Sequence, residues 1–140
     1  MYELQQDSAE EVAKETIVFT SFLELSTLEC QTIQDLRAMI DDDLAFSDLI
    51  TVYINSAKIL IDKIQEAFID NDTENLRIAS HSLKSTSASV GATKLSQICK
   101  FVEQTSREGE TTITAEFIND VLVGEYNLLV QEIKTYVTAY

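Results

Sequence analysis

An all-α fold, an up-and-down antiparallel helical bundle, is predicted by three features of this chain. Its 140 residues contain no proline and only three glycines, Gly91, Gly109 and Gly124, so few positions interrupt a helix. Apolar residues recur at three- and four-residue intervals over long stretches, the spacing that collects them on one helical face. The polar breaks between those stretches are short, and short connections between long helices favour antiparallel neighbours.

Each helix has its own start and stop signals. Ser26-Thr27-Leu28-Glu29 has the spacing of a capping box, in which the serine oxygen accepts the amide three residues on and the glutamate reaches back. A first helix from there to about Ile40 would bury Leu28, Ile33, Leu36 and Ile40. Asp41, Asp42 and Asp43 supply a turn and put negative charge at the start of a second helix, where the helix dipole favours it. That helix, to about Phe68, would bury Leu49, Tyr53, Leu60, Ile64 and Ala67. Asn71 and Asp72 break the pattern and can cap a third helix from Thr73 to about Val90, with Gly91 suited to the turn that ends it. A fourth helix from near Thr93 would bury Leu95, Ile98, Cys99 and Val102 before stopping at Gly109. Residues 110–113 read as a loop, and Thr114 is an N-cap candidate for a long last helix. That helix would carry Phe117, Ile118, Val121, Leu122, Leu128, Leu129, Ile133 and Val137 inward, with Gly124 weakening it by roughly 1 kcal/mol relative to alanine. Residues 1–25 read as an extension, partly helical or mobile, whose Ile17-Val18-Phe19 and Phe22-Leu23 could dock on the bundle; residues 26–140 form the bundle domain.

Composition limits the function. A chain of 140 residues with 45% hydrophobic content is long enough for one genuine core and too short for two ordinary domains. Its net charge of -14, from 24 acids and 10 bases, argues against nucleic acid or an anionic membrane as partner, because like charge repels. No run approaches the roughly 18 apolar residues of a membrane span, and Glu3, Asp7, Glu10, Glu11 and Glu15 stand where a signal peptide would be basic and then apolar. A cytoplasmic location is expected. Cys30 and Cys99 lie in separate apolar patterns with no CxxC and no nearby histidine, so both read as reduced core residues rather than a disulfide or metal pair.

His81 is the only histidine, and helical geometry says where it points. Successive side chains turn by about 100° around the axis, so Leu76, Ala79, Leu83 and Val90 fall within about 40° of the pole opposite His81. His81 should therefore face away from the core. Arg77, Lys84, Ser85 and Ala88 share its side, with Ile78 on one flank. A lone histidine is ordinarily a satisfied core or surface residue. The core alternative fails here because the apolar stripe is on the other side. Charge weighs against an incidental surface residue: residues 75–102 contain no acid, while Arg77, Lys84, Lys94 and Lys100 supply four cations. Such surroundings suit an added dianionic group on the imidazole, with Lys84 one turn away to reach its oxygens.

His81-Ser82-Leu83-Lys84, then Ser85, Thr86, Ser87 and finally Gly91, resembles the signature of histidine-containing phosphotransfer (HPt) domains. That family carries H-x-L-K-G, small polar residues and a second glycine ten positions after the histidine. The likeness spans about residues 26–140, including Leu49-Ile50 with Tyr53, the pair Ala79 and His81, and the step from Gly91-Ala92 to Leu95. It implies a four-helix bundle with an additional N-terminal helix. It also implies a phosphoryl carrier between aspartates of response-regulator receiver domains in a multistep two-component phosphorelay, without kinase activity of its own. His81 would be the phosphoacceptor and Lys84 would stabilise charge on the phosphoryl oxygens. Leu83 would anchor the helix, and Gly91 would shape its end. Arg77, Ile78, Ser85 and Ala88 would belong to the receiver-docking face, together with parts of the second helix. The expected partners are receiver domains and a hybrid histidine kinase. No metal or tightly bound cofactor is expected on this chain, since the receiver brings the aspartate and Mg²⁺. A monomer is expected, and the initial methionine favours a stand-alone protein.

The chain departs from the pattern at Ser85, where the family has glycine. A side chain about 40° from His81 would crowd a docking receiver, or its hydroxyl would hydrogen bond to the histidine or the phosphoryl group. Other functions remain in view. A helical adaptor or dimerisation bundle explains the periodicity and makes His81 incidental. An independent enzyme lacks support: there is no Gly-rich phosphate loop, no nucleophile elbow and no acid paired with His81 along its own helix. A metal carrier would have only carboxylates to build a site.

Overall fold

The computed structural model describes residues 22–108 and 113–139, and everything regular in them is helical. Helix α1 spans Cys30–Ile40, α2 Asp43–Ile69, α3 Thr73–Val90, α4 Thr93–Arg107 and α5 Val123–Ala139, the last preceded by a π-helical stretch, Phe117–Leu122. Helices α2 to α5 make the bundle, and α1 is the additional N-terminal helix, packed on α2 and α3. The pair α3 and α4 packs most extensively, which matters because the site lies between them.

Local chemistry sets most boundaries. Asp41 turns the chain in the left-handed region (φ 52°), and the Asp42 carboxylate caps α2 by accepting the Ala45 amide. Arg37 in the last turn of α1 pairs with Asp43 in the first turn of α2, each charge suiting its helix end. Asp72 caps α3 by accepting the Asn75 amide, and Thr114 accepts the Phe117 amide at the start of the last helical segment. The capping box at residues 26–29 does not form. Helix α1 begins only at Cys30, because Ser26 and Glu29 serve a tertiary contact instead: the Ser26 carbonyl accepts the Lys94 amide, and the Glu29 amide donates to the Gly91 carbonyl. That contact sits where α3 turns into α4.

Gly91 makes the turn possible. It has φ +90°, and a Cβ there would meet the Glu29 carbonyl oxygen at 2.9 Å and Thr32 Cβ at 3.1 Å. Gly91→Ala is expected to lower stability by roughly 1–3 kcal/mol, seen as a fall in the denaturation midpoint. An unchanged midpoint would show that the turn relaxes without cost.

One core runs through the bundle. Along α2 its buried positions are Phe46, Ile50, Tyr53, Ala57, Ile61, Ile64 and Ala67. Leu60 is only partly buried and Leu49 is 40% exposed, so the inward stripe runs through Ile50 rather than Leu49. Ile33 is fully buried, while Leu28, Leu36 and Ile40 pack at its margin. The predicted positions of α4 are all buried. In the last helical segment Phe117, Ile118, Leu122, Leu129 and Ile133 are buried and Val121 and Val137 partly so, but Leu128 is exposed and Tyr126 takes the inward place. The π-helical stretch rotates the face that α5 presents to the core, which a uniform 100° step cannot anticipate. Cys99 is buried as expected, whereas Cys30 opens α1 on the surface; both are free thiols. Phe22 docks edge-on against Phe101, and Leu23 points outward. The segment Ile17-Val18-Phe19, with all of residues 1–21, lies outside the described residues.

Helix α2 is, among the described residues, the one helix long and apolar enough to cross a bilayer, with a mean hydropathy of 1.4 over its best window. Its apolar side chains divide between two uses. One row enters the bundle core, and Leu49, Val52 and Ile59 remain on the surface.

Candidate functional site: a histidine held by a buried carboxylate

Helix α3 presents His81 because its other side is committed to the core. Leu76, Ala79, Leu83 and Val90 are all buried, at 4% exposure or less, which fixes the rotation of the helix. Two buried serines on the same helix are satisfied: Ser80 donates to the Leu76 carbonyl, and Ser87 shares a 2.8 Å hydrogen bond with the Tyr53 hydroxyl of α2. Burial pushes the Tyr53 hydroxyl well up from its ordinary value, so this pair is a neutral link between α2 and α3. The His81 side chain is 54% exposed.

The side chain that meets His81 comes from α4. Glu103, only 3% exposed, places Oε1 at 2.8 Å from His81 Nδ1. Its Oε2 lies 2.7 Å from Lys84 Nζ, and Arg107 Nη2 reaches Oε1 at 3.0 Å. Burial pushes the Glu103 carboxyl up, but the hydrogen bonds and charges of Lys84 and then His81 outweigh it, leaving the group below the ordinary carboxylate range. A second buried carboxyl, Glu125, shows the contrast. There burial dominates over a hydrogen bond from Thr27, and the group is pushed up. Glu103 has hydrogen-bonding cations that outweigh its burial, whereas the charge of Lys94 does not outweigh that of Glu125.

An ionised carboxylate can only accept hydrogen bonds. Nδ1 must therefore carry the proton it donates to Glu103, and in the neutral ring this leaves the lone pair on Nε2. One buried group thus sets the tautomer and orientation of the imidazole and the position of the nearest ammonium. In its neutral form the imidazole is a nucleophile with an adjacent cation, open to a large partner.

The acid-free surroundings expected for His81 are not what the fold builds. The window without acids ends at Val102, and the next residue is the one that reaches the ring. A signal for it was present: His81 and Glu103 each lie eleven residues from Ala92, so an antiparallel pair of helices turning there brings them level. Lys84 is where its spacing placed it, but paired to Glu103. Arg77 is turned to Glu74 at 2.9 Å and does not join the cluster. Ile78 is 46% exposed, Ser85 and Ala88 are exposed, and Leu83 is fully buried. The Ser85 carbonyl accepts from the Ser89 hydroxyl, and no hydrogen bond joins the Ser85 hydroxyl to His81. Among the described residues no group of three or more His, Cys, Asp or Glu side chains could hold a metal ion.

Two shallow grooves, one apolar and one mixed with the charged residues Lys63, Glu66, Asp70 and Asp72, flank this site where α2 meets α3. Leu36, Leu49, Val52, Tyr53, Thr86 and Val90 line one. Leu60, Lys63, Ile78 and Ser82 lie in the other.

The same architecture is found in the crystal structure of histidine-containing phosphotransfer protein B (HptB) from Pseudomonas aeruginosa PAO1. The match has a TM-score of 0.73 and 21% sequence identity, covering 81% of this chain and 96% of that one. No curated protein sequence matches. The Hpt domain profile matches residues 48–139, a span that contains His81, Lys84 and Glu103, all of α3, α4 and α5, and most of α2. This chain belongs to the Hpt domain family.

Proposed function

We propose that this Hpt domain carries a phosphoryl group on His81 Nε2 between aspartates of response-regulator receiver domains, as a cytoplasmic, monomeric carrier without kinase activity. The observation that carries this reading is the 2.8 Å contact of His81 Nδ1 with a buried, ionised carboxylate, which leaves one defined nitrogen to attack. In the transfer the Nε2 lone pair forms a bond to phosphorus as the bond from phosphorus to the aspartate oxygen breaks, its electron pair leaving with the carboxylate. The Nδ1 proton stays on the ring, whose new positive charge faces Glu103. Lys84 has further N–H bonds with which to meet the phosphoryl oxygens. Phosphoryl transfer asks mainly for in-line placement and charge stabilisation, and the partner receiver supplies the aspartate and Mg²⁺.

Docking uses the exposed face of α3 with part of α2. Leu49 and Val52 on one side of the site, and Ile78 on the other, offer apolar contact to a receiver, with Ser85 and Ala88 at the centre. The large negative charge selects among receivers at close range only, since salt screens it within about 8–10 Å.

The test is incubation with a phosphorylated receiver, followed by analysis of the transferred label, which must be labile in acid and stable in base. No label from any receiver of the source organism would overturn the reading and leave a helical adaptor. The Ser85 side chain stands one helical turn from His81 on the docking face. Ser85→Gly is expected to raise the transfer rate, roughly two- to fivefold if relief of crowding is worth a few tenths to 1 kcal/mol. An equal rate for both proteins would remove crowding as the effect of Ser85.

A further inference from the structure

Arg107 reaches the site through the same oxygen that receives His81. Its Nη2 is 3.0 Å from Glu103 Oε1, and His81 Nδ1 is 2.8 Å from that atom, while Lys84 holds Oε2. Of the two cations, Lys84 has a second task under the proposed function. As its ammonium turns to the phosphoryl group approaching Nε2, it neutralises Glu103 less. A carboxylate that is 3% exposed is driven toward protonation when its partner is drawn away. Once protonated, Glu103 would donate to Nδ1, and the ring proton would move to Nε2, where it blocks the attacking lone pair.

We propose that Arg107 is a positioning residue of the phosphoacceptor site, holding Glu103 ionised and in place so that Lys84 can serve the phosphoryl group without loss of the His81 tautomer. This rests on the phosphotransfer reading for its consequence, though not for its geometry. The groups around Glu103 are His81 and Lys84 from α3, Arg107 one turn on along α4, and the Cys99 thiol one turn back, which burial keeps protonated. Arg107 has the exposure the task requires. Its side chain is 65% exposed against 28% for Lys84, so it stands at the rim of the site and is anchored by the buried carboxylate. A glutamate followed four residues later by arginine in the last turn would also support a helix end by itself. The distinction lies in whether the effect of Arg107 passes through Glu103 to the ring.

The experiment compares wild type, Arg107→Gln, Arg107→Lys, Glu103→Gln and the double variant Arg107→Gln with Glu103→Gln. Two measurements are made on each full chain: ¹⁵N NMR of the His81 ring near pH 8, without any phosphodonor, and the rate of phosphohistidine formation from phosphoramidate. In that reaction the P–N bond of phosphoramidate breaks with its electron pair on nitrogen, and ammonia leaves after taking a proton from water. In wild type the ring should show one tautomer, with the proton on Nδ1. Arg107→Gln should mix the tautomers and slow phosphorylation roughly two- to fivefold, the scale of one partly exposed ion pair. Arg107→Lys should restore both. With Glu103→Gln in place, loss of Arg107 should have little further effect, because an amide has no charge to hold. Wild-type ring signals and rate in Arg107→Gln would overturn the proposal, as would an undiminished effect in the Glu103→Gln background, which would mean direct action on the phosphoryl group. Absence of phosphohistidine in wild type would count against the function instead, and the ring signals would still decide the role of Arg107.

Discussion

Replacing His81 with glutamine is expected to abolish the acid-labile, base-stable label completely while leaving the fold as stable as before. The first half follows from the reaction: glutamine has no nitrogen lone pair basic enough to attack phosphorus, and no other imidazole exists in the chain. The second half follows from placement. The His81 side chain is 54% exposed and contributes nothing to the core, so the change should stay within about 0.5 kcal/mol, as ordinary surface substitutions do. A glutamine amide can still donate to Glu103 from the same region, which spares the carboxylate an unpaired oxygen. Label transfer and thermal unfolding measured on the same preparation decide both halves. Label retained by the variant would mean that another residue accepts the phosphoryl group. A large fall in the melting temperature would mean that His81 faces the core after all.

Changing Glu103 should produce the second largest effect, and two substitutions separate its roles. Leucine has similar bulk and no acceptor, so Glu103→Leu leaves the imidazole without its hold and the tautomers free to mix. Outer partners that orient a functional imidazole typically contribute about 10–100-fold, and a loss of that size in the rate of transfer is expected. Stability should change less, because Lys84 and Arg107 already reach solvent, at 28% and 65% side-chain exposure, and neither is left as a fully buried unpaired charge. Glu103→Gln keeps an oxygen that can accept from Nδ1 and should retain much more activity than the leucine variant. Measured rates for the two variants that are equal to each other would show that charge or bulk, rather than the accepted hydrogen bond, carries the effect.

The contribution of Glu103 to the acid response of the protein has a definite sign. Glu103 is held below its ordinary range in the fold, so its contribution to stability is present above the range in which a free glutamate titrates. That contribution is lost as pH falls through the lower folded value. Glu125 acts in the opposite sense: its raised folded value makes its ionised form a cost at neutral pH, one that is relieved on acidification.

Much of the fold was legible because helix ends and stripes depend on near neighbours. Asp42, Asp72 and Thr114 cap by bonding to amides three residues away, and Gly91 ends α3 through its own positive φ, a local requirement to which the close approach of Glu29 and Thr32 is added. The departures share a cause in tertiary contacts and helix phase. Ser26 and Glu29 have the spacing of a cap but bond to Lys94 and Gly91, more than sixty residues away. Leu128 and Tyr126 exchange places because the π-helical stretch before α5 shifts the phase of that helix. Cys30 is exposed at the first position of α1, a helix that starts there rather than at Ser26.

By itself the sequence determined that His81 faces outward, since the apolar residues of α3 can be buried in only one way and the imidazole lies opposite them. It also determined that Lys84 stands one turn away, since helical spacing leaves no choice. Only the tertiary structure decided what holds the ring. Glu103 is 22 residues from His81 and comes level with it through the packing of α4 against α3, a contact that no periodicity along one helix encodes. Charge counted along the chain said the imidazole stood among cations. In space it bonds to a buried carboxylate that is itself held by two of them, because electrostatic energy depends on distance through the fold rather than along the backbone.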